Sequence, residues 1–197
     1  RIEFDGQKMS ESLGNVWTMR DFLQEFDGEI FKFLILSAHY RSLCEFSERN
    51  LQQAIQSLAR IYSALRVVER YLLQQPSPNP LSDSDELKKA IVGAEARIQA
   101  ALDDDLNTPE VMSAIFDVVR VFNTLVKPFG GKDQQIFQRC LAFRQFILAN
   151  GALMALFQKL ASTYLRSLDD RLLERMGRER TSVDLLVEER RNARDQK

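Results

Sequence analysis

The chain has 197 residues, with 27 Lys and Arg against 28 Asp and Glu and a formal net charge of −1. That balance removes any global electrostatic pull toward nucleic acid and leaves only a local basic face to supply one. A composition of 45% hydrophobic and 28% charged residues is that of a soluble globular protein, one large domain or one domain with small appendages, able to bury a sizeable core. No apolar run approaches the roughly 18 residues a bilayer-spanning helix needs, and the polar, charged start is no secretory signal. A cytoplasmic protein is expected, and because the chain opens on Arg1 it reads as a fragment of something longer.

In chain order, residues 1–4 alternate like the last strand of a preceding nucleotide-binding domain, expected to hang loosely without a sheet to join. Lys8 to Asn15 then reads K-M-S-E-S-L-G-N. Lys8 is a compact charge on a flexible stem, Ser10 and Ser12 can donate hydrogen bonds, and Gly14 lets backbone approach an anion closely. Such a loop suits phosphate and can close as a lid over a triphosphate. The plain alternative is a polar surface turn carrying a solvated lysine. Thr18 can cap a short helix over 19–26, ended by Asp27-Gly28. A second helix is expected from Glu29 to about His39, with Ile30, Phe31, Leu34, Ile35 and Ala38 on its apolar side. Arg20, Lys32, Arg41 and the Tyr40 hydroxyl fall within two turns of each other. For Lys32 and Arg41 the alternative is a solvated face, and for His39 and Tyr40 it is packing against the helices.

Ser47 can cap a long helix to about Leu73, with Leu51, Ile55, Leu58, Tyr62, Leu65 and Leu72 in register, some 35 to 40 Å at about 1.5 Å per residue. Pro76, Pro78 and Pro80 end it and mark a linker. The next helix spans about 83–103, with Leu87, Ile91, Ala94, Ile98 and Leu102 on one side. At Asn107-Thr108-Pro109-Glu110 a new helix starts, with Thr108 as N-cap and Pro109 at the first helical position. Asp103, Asp104 and Asp105 sit between the two helices and read as capping residues rather than as a Mg2+ cluster. The helix from Pro109 to about Lys127 buries Val111, Ile115, Val118, Phe122 and Leu125. Another over 133–149 carries Ile136, Cys140, Phe143 and Ile147, and Gly151 breaks the pattern. An apolar stretch, 153–165, precedes a charged segment, 166–180, and a helical pattern resumes from Thr181. The aromatics hold helical spacing without interleaved basic residues, so they are core rather than stacking platforms. Cys44 and Cys140 read as reduced, buried thiols. His39 is the sole histidine, and a zinc site wants three or four ligands, so no metal is expected here.

Three landmarks, K-M-S-E-S at 8–12, L-S-A-H-Y-R-S at 36–42 and A-L-D-D-D-L-N-T-P-E at 101–110, together resemble the C-terminal half of the cysteinyl-tRNA synthetases, class I aminoacyl-tRNA synthetases. The resemblance runs from about Phe4 to the last residue and is weakest between Gly130 and Arg180. It implies an all-α fold, an antiparallel helical bundle of the DALR type preceded by a KMSKS-type loop. The implied division is 1–16 loop and end of the catalytic domain, 17–46 linker helices against the tRNA stem, 47–180 bundle, and 181–197 the start of a truncated anticodon-recognition module. It assigns ATP binding to Lys8, Met9, Ser10, Glu11 and Ser12. Glu11 departs from the family, which has lysine there to stabilise charge developing on the phosphates. At about 4 Å and a dielectric of roughly 20 each unit-charge interaction is about 4 kcal/mol before screening, so the exchange is unlike a neutral one.

For tRNA contact the resemblance implies Arg20, Lys32 and Arg41 in the linker and Arg190, Arg191 and Arg194 near the end, where a frayed amphipathic helix is the alternative. The implied activity is ATP-dependent ligation of cysteine to tRNA(Cys), with ATP and Mg2+ used by the parent enzyme and Zn2+ held outside this chain. ATP and cysteine would engage through the absent catalytic half, no catalytic set is complete in these residues, no membrane is involved, and the parent is expected to be a monomer. Two rivals remain: a mycothiol-type cysteine ligase on the same frame, for which Glu11 leaves room, and a non-catalytic helical interaction module.

Overall fold

The longest apolar stripe in the sequence, Leu51, Ile55, Leu58, Tyr62 and Leu65, becomes the buried face of the central helix, α3 (Glu48–Leu72). In the computed structural model, which describes residues 2–4, 7–8, 18–73, 80–126 and 135–195, four helices pack around it: α2 (Gly28–Leu36), α5 (Thr108–Leu125), α6 (Ile136–Leu153) and α7 (Ala161–Arg175). Before them comes α1 (Met19–Glu25). Between α3 and α5, α4 (Glu86–Asp103) forms a hairpin with α5 through a four-residue turn, and α8 (Arg180–Asp195) ends the described chain. Each fully buried Leu, Ile or Phe contributes about 1.5–3 kcal/mol by leaving water, and Phe122 of α5 stacks on Phe143 of α6 with centroids 4.0 Å apart. The expected all-α bundle is therefore the architecture.

A small sheet lies at its edge. β1 (Ile2–Phe4) pairs antiparallel with β2 (Gln7–Lys8) and parallel with β3 (Cys44–Phe46), in the order β2-β1-β3. The first strand was expected to hang unpaired; it is not, because β3, just before α3, offers it an edge that period-2 reasoning on so short a segment did not register.

Side-chain caps set most helix starts. Thr18 and Asp21 form a reciprocal capping box on α1, Asp27 accepts from Glu29 N at 2.9 Å on α2, and Ser47 accepts from Asn50 N on α3. Asp85 caps α4 while its other oxygen is held by Arg139 of α6 at 2.9 Å. Three expectations move. The N-cap of α5 is Asn107, whose Oδ1 accepts from Glu110 N, so Thr108 is already helical and Pro109 follows it. α2 stops at Leu36, short of His39, where Ser37 turns its hydroxyl back to the Phe33 carbonyl at 2.7 Å. The apolar stretch 153–165 is not one element: it runs from the end of α6 through the link into the start of α7, and the charged residues from Arg166 make up most of that helix.

Gly151 does not break α6 but lies inside its last turn. A Cβ there would sit 2.5 Å from the Leu156 carbonyl oxygen and 2.9 Å from the Phe157 ring. The missing side chain lets the link to α7 fold back on the helix, with Leu156 N donating to Gly151 O at 2.8 Å and with Ala155 and Phe157 in the left-handed region. Gly151→Ala is expected to lower stability by about 2–3 kcal/mol, the scale of overpacking a closed site, read as a drop in thermal midpoint; an unchanged midpoint would show that the link relaxes freely.

Cys140 is completely buried in α6, and burial pushes its thiol up to about 12. The thiolate is the reactive form, so a thiol reagent at neutral pH should label the half-buried Cys44 first. Labelling of Cys140 is expected only as the chain unfolds, and equal rates in the native state would contradict this packing.

Candidate functional site

Of the K-M-S-E-S stretch, Lys8 alone is described, and the strand that carries it joins the helical body through backbone pairing. Lys8 lies on β2 in register with Glu3 of β1, and β1 runs beside β3, which leads through the Ser47 cap into α3. The other loop positions, Met9, Ser10, Glu11 and Ser12, lie outside the described residues.

Two segments more than sixty residues apart in sequence meet on Asp105. The Tyr40 hydroxyl donates to Asp105 Oδ1 at 2.5 Å, Arg41 Nη2 donates to the same oxygen at 3.1 Å, and Arg41 Nε lies 2.9 Å from Oδ2. His39 stacks its ring on Tyr40 with centroids 4.9 Å apart, and its Nε2 is 3.9 Å from Asp105 Oδ2. Asp105 and Leu106 both hold positive φ, 55° and 53°. A short polar side chain tolerates that region and Leu does not, so the turn is held against a cost of about 1–3 kcal/mol. Of the three consecutive acids, Asp104 closes α4 as its C-cap, whereas Asp105 caps no helix and clasps the loop after α2. Tyr40 was weighed as packed against the bundle; it is 60% exposed. The accepting Asp105 carboxylate, ahead of an opposing Arg41 contact, holds its hydroxyl above the usual phenol range.

Lys32, though exposed, is also tied to a partner, donating from Nζ to the Ala155 carbonyl in the α6–α7 link. Beneath it sits a group the sequence reading missed. Glu29, only 3% exposed, accepts from the Tyr62 hydroxyl of α3 at 2.9 Å and from the Phe157 backbone N–H at 2.6 Å, and lies 3.7 Å from Lys159 Nζ. Tyr164 of α7 stacks on Tyr62 with centroids 3.9 Å apart. Burial first, then the Glu29 charge, pushes the Tyr62 hydroxyl far above its ordinary value. Glu29 stands four residues before the buried Phe33 on the same helical face. A carboxylate at an inward position was the available signal.

At Asp27, burial favours the neutral acid, but the Lys159 ammonium at 2.7 Å, the Glu29 N–H and more distant Arg171 outweigh it and hold the carboxyl below its usual value. Stability from that group is present above the ordinary carboxylate pKa and is lost as pH falls through the depressed one.

Of the remaining cations, Arg20 is exposed on α1, and Arg190, Arg191 and Arg194 are exposed on α8 beside equally exposed Leu185 and Leu186. The structure therefore does not gather the expected cations into one site: Arg41 and Lys32 are tied to different connections. Among the described residues no group of three or more His, Cys, Asp or Glu is placed to hold a metal ion, and no helix is long and apolar enough to cross a membrane.

Comparison with known proteins fits this arrangement. Residues 1–56 match the model of the tRNA synthetases class I (C) catalytic domain, and residues 97–158 match the DALR domain. Over 193 residues, 98% of the chain, it is 42% identical to a cysteine–tRNA ligase of Bdellovibrio bacteriovorus and 33% identical to one of Geobacter sulfurreducens. The chain belongs to the cysteine–tRNA ligase family. It spans 39% of the length of each of those two relatives, and a ligase of Pelobacter propionicus, 32% identical over 200 residues, is covered to 41%. The segment at 36–42 falls within the first matched region and Asp105 within the second, so the clasp joins the part that resembles the ligases' catalytic domain to their DALR part.

Replacing Glu29 by Ala is expected to cost about 3–5 kcal/mol, the scale of breaking a buried, hydrogen-bonded charge and stranding its donors. Urea unfolding would measure it, and a destabilisation below that of an exposed Glu188→Ala control would mean the Glu29 contacts carry no load.

Proposed function

We propose that this chain is the C-terminal part of an ATP-dependent cysteine–tRNA ligase, supplying a phosphate-binding loop and the helical body on which tRNA(Cys) docks. The observation that carries this reading is the 42% identity to a cysteine–tRNA ligase across 98% of the chain. The clasp between residues 39–41 and Asp105 supports it, since it ties the segment following the loop to the bundle. The division we favour is 1–16 as loop and edge of the catalytic domain, 17–46 as linker helices, 47–180 as bundle and 181–197 as the beginning of an anticodon-reading module.

In the whole ligase, the cysteine carboxylate attacks the α-phosphate of Mg2+-bound ATP, forming cysteinyl adenylate as pyrophosphate leaves. A hydroxyl of the tRNA 3′ end then takes the acyl group and AMP leaves. Within this chain Lys8 holds phosphate oxygens, Met9, Ser10 and Ser12 shape the loop, and Glu11 sets its charge. Arg20 and the α8 arginines Arg190, Arg191 and Arg194 are free to meet RNA phosphates, whereas Lys32 and Arg41 serve first as intramolecular ties that orient the linker. Zn2+ of the whole enzyme belongs outside these residues. The protein works in the cytoplasm, with cysteine and ATP bound by the rest of the enzyme.

Glu11 gives the test. A carboxylate beside the triphosphate opposes charge that a lysine would stabilise. In the full-length protein, Glu11→Lys is expected to raise the rate of cysteine-dependent ATP–pyrophosphate exchange at least about tenfold, equivalent to roughly 1.4 kcal/mol of barrier. The 197-residue chain alone should show none. A full-length protein that neither activates cysteine nor acylates tRNA would overturn the proposal.

A further inference from the structure

The clasp on Asp105 has the geometry of a fixed joint rather than of a loose surface ion pair. Arg41 lays two nitrogens on two oxygens, Nη2 on Oδ1 at 3.1 Å and Nε 2.9 Å from Oδ2, a fork that fixes the angle between guanidinium and carboxylate as well as their distance. The Tyr40 hydroxyl donates to Oδ1 and accepts from Arg41 Nε at 3.0 Å, closing the three groups into a ring of contacts. The backbone of the acid is fixed too. It is left-handed, as is that of Leu106, and the turn is bonded back onto α4 by Leu106 N to the Leu102 carbonyl at 3.3 Å and Asn107 N to the Ala101 carbonyl at 2.8 Å, before Asn107 caps α5. Two successive residues hold a conformation that glycine would take without strain, and this outlier falls where distant segments meet.

None of Tyr40, Arg41, Ser42 and Leu43 is buried, so the turn between α2 and β3 is seated by its contacts with Asp105 and not by a side chain in the core. Three residues after Arg41 the turn becomes β3, whose far end is anchored by buried Phe46, edge-on to Phe22 with centroids 5.9 Å apart. From β3 the ladder leads to Lys8: Glu45 is in register with Glu3 of β1, and Glu3 with Lys8 of β2. Neighbouring strands lie about 4.8 Å apart, so the Lys8 backbone stands about 10 Å across the sheet from a strand whose entry the clasp sets. A hydrogen-bonded ladder passes a displacement of one strand to the next through the backbone.

We infer that Asp105 is a positioning residue for cysteine activation: through Arg41, Tyr40 and β3 it sets where the strand bearing Lys8 stands relative to the triphosphate, although it touches neither substrate. This rests on the ligase reading and adds to it a residue of the DALR-matched region that acts on the ATP-dependent step before any RNA is bound. Exposed ion pairs contribute little to stability, so loss of the clasp shows in the rate rather than in folding. A misplacement of about 1 Å at a reacting group can cost about a hundredfold in rate.

The test is cysteine-dependent ATP–pyrophosphate exchange, without tRNA, by the full-length ligase carrying Asp105→Gly, which removes the carboxylate and suits the left-handed backbone. Its kcat is expected to fall at least about tenfold, with the KM for cysteine and the thermal midpoint unchanged, because cysteine is held by the rest of the enzyme and the turn loses no packing. Asp105→Asn, which still accepts from Tyr40 but gives up the charge facing Arg41, should recover part of the rate. Tyr40→Phe added to Asp105→Gly should cost nothing further, since the two act through one contact. Asp104→Asn, one residue away, should match the parent. A parent-like kcat in Asp105→Gly would overturn the inference, and so would an equal loss in Asp104→Asn. If Asp105→Gly exchanges normally but transfers cysteine slowly from preformed adenylate to tRNA, the clasp serves the RNA side instead and the inference fails, while the ligase reading stands. Absence of exchange by the parent protein would count against that reading and the inference together.

Discussion

A single buried carboxylate ties this bundle together. Glu29 enters from the first turn of α2, meets the Tyr62 hydroxyl of α3, and accepts the backbone N–H of Phe157 in the link between α6 and α7. Two oxygens thus join three segments that are distant in sequence. A charge so placed costs free energy to dehydrate and is tolerated only where every lone pair is answered. Here a phenol, a peptide N–H and, at longer range, Lys159 answer it. Such a contact does little for net stability against an apolar alternative, but it sets which surfaces meet: α2 can seat on α3 in one register only if Phe157 presents its N–H. The left-handed Phe157 and the side-chain-free Gly151 are the backbone terms of the same arrangement.

The second constraint is at Asp105, and it acts on the surface rather than in the core. Its contacts with Tyr40 and Arg41 are exposed, so each is worth little by itself. Their importance is geometric. They fix the loop after α2 against the α4–α5 turn, and β3 follows directly, pairing with the strand that precedes Lys8. A chain of short-range ties therefore runs from the DALR part to the strand that carries Lys8. These ties give the two regions a common frame through backbone pairing and a shared carboxylate.

Much of the bundle was legible because helix patterns are local. The stripe from Leu51 to Leu65 and the row Ile136, Cys140, Phe143 and Ile147 all proved buried, and Ser47 and Thr18 sit at helix starts, since a cap answers N–H groups two or three residues away; Asp27, read as ending the first helix, caps the second instead. What misled was also local. Gly151 carries a helix-breaking propensity of about 1 kcal/mol, which packing against Leu156 and Phe157 overrides. Thr108 and Asn107 are both good N-caps, and only the real path of the turn chose Asn107. The run of three acids looked alike on paper, yet one closes a helix and another clasps a distant loop.

The sequence by itself determined the class of fold, the extents of the principal helices to within a few residues, and the family, because periodicity, capping chemistry and the three ordered landmarks are properties of neighbouring positions. Tertiary structure alone decided that Glu29 faces inward, that Lys32 and Arg41 are held rather than free, that Ile2–Phe4 finds a sheet, and that Glu48 and Glu69 of α3 reach α7. Each depends on which segments, tens of residues apart, come within about 3 Å, the reach of a hydrogen bond. That distance is set by how the helices pack, and no pattern within one segment records it.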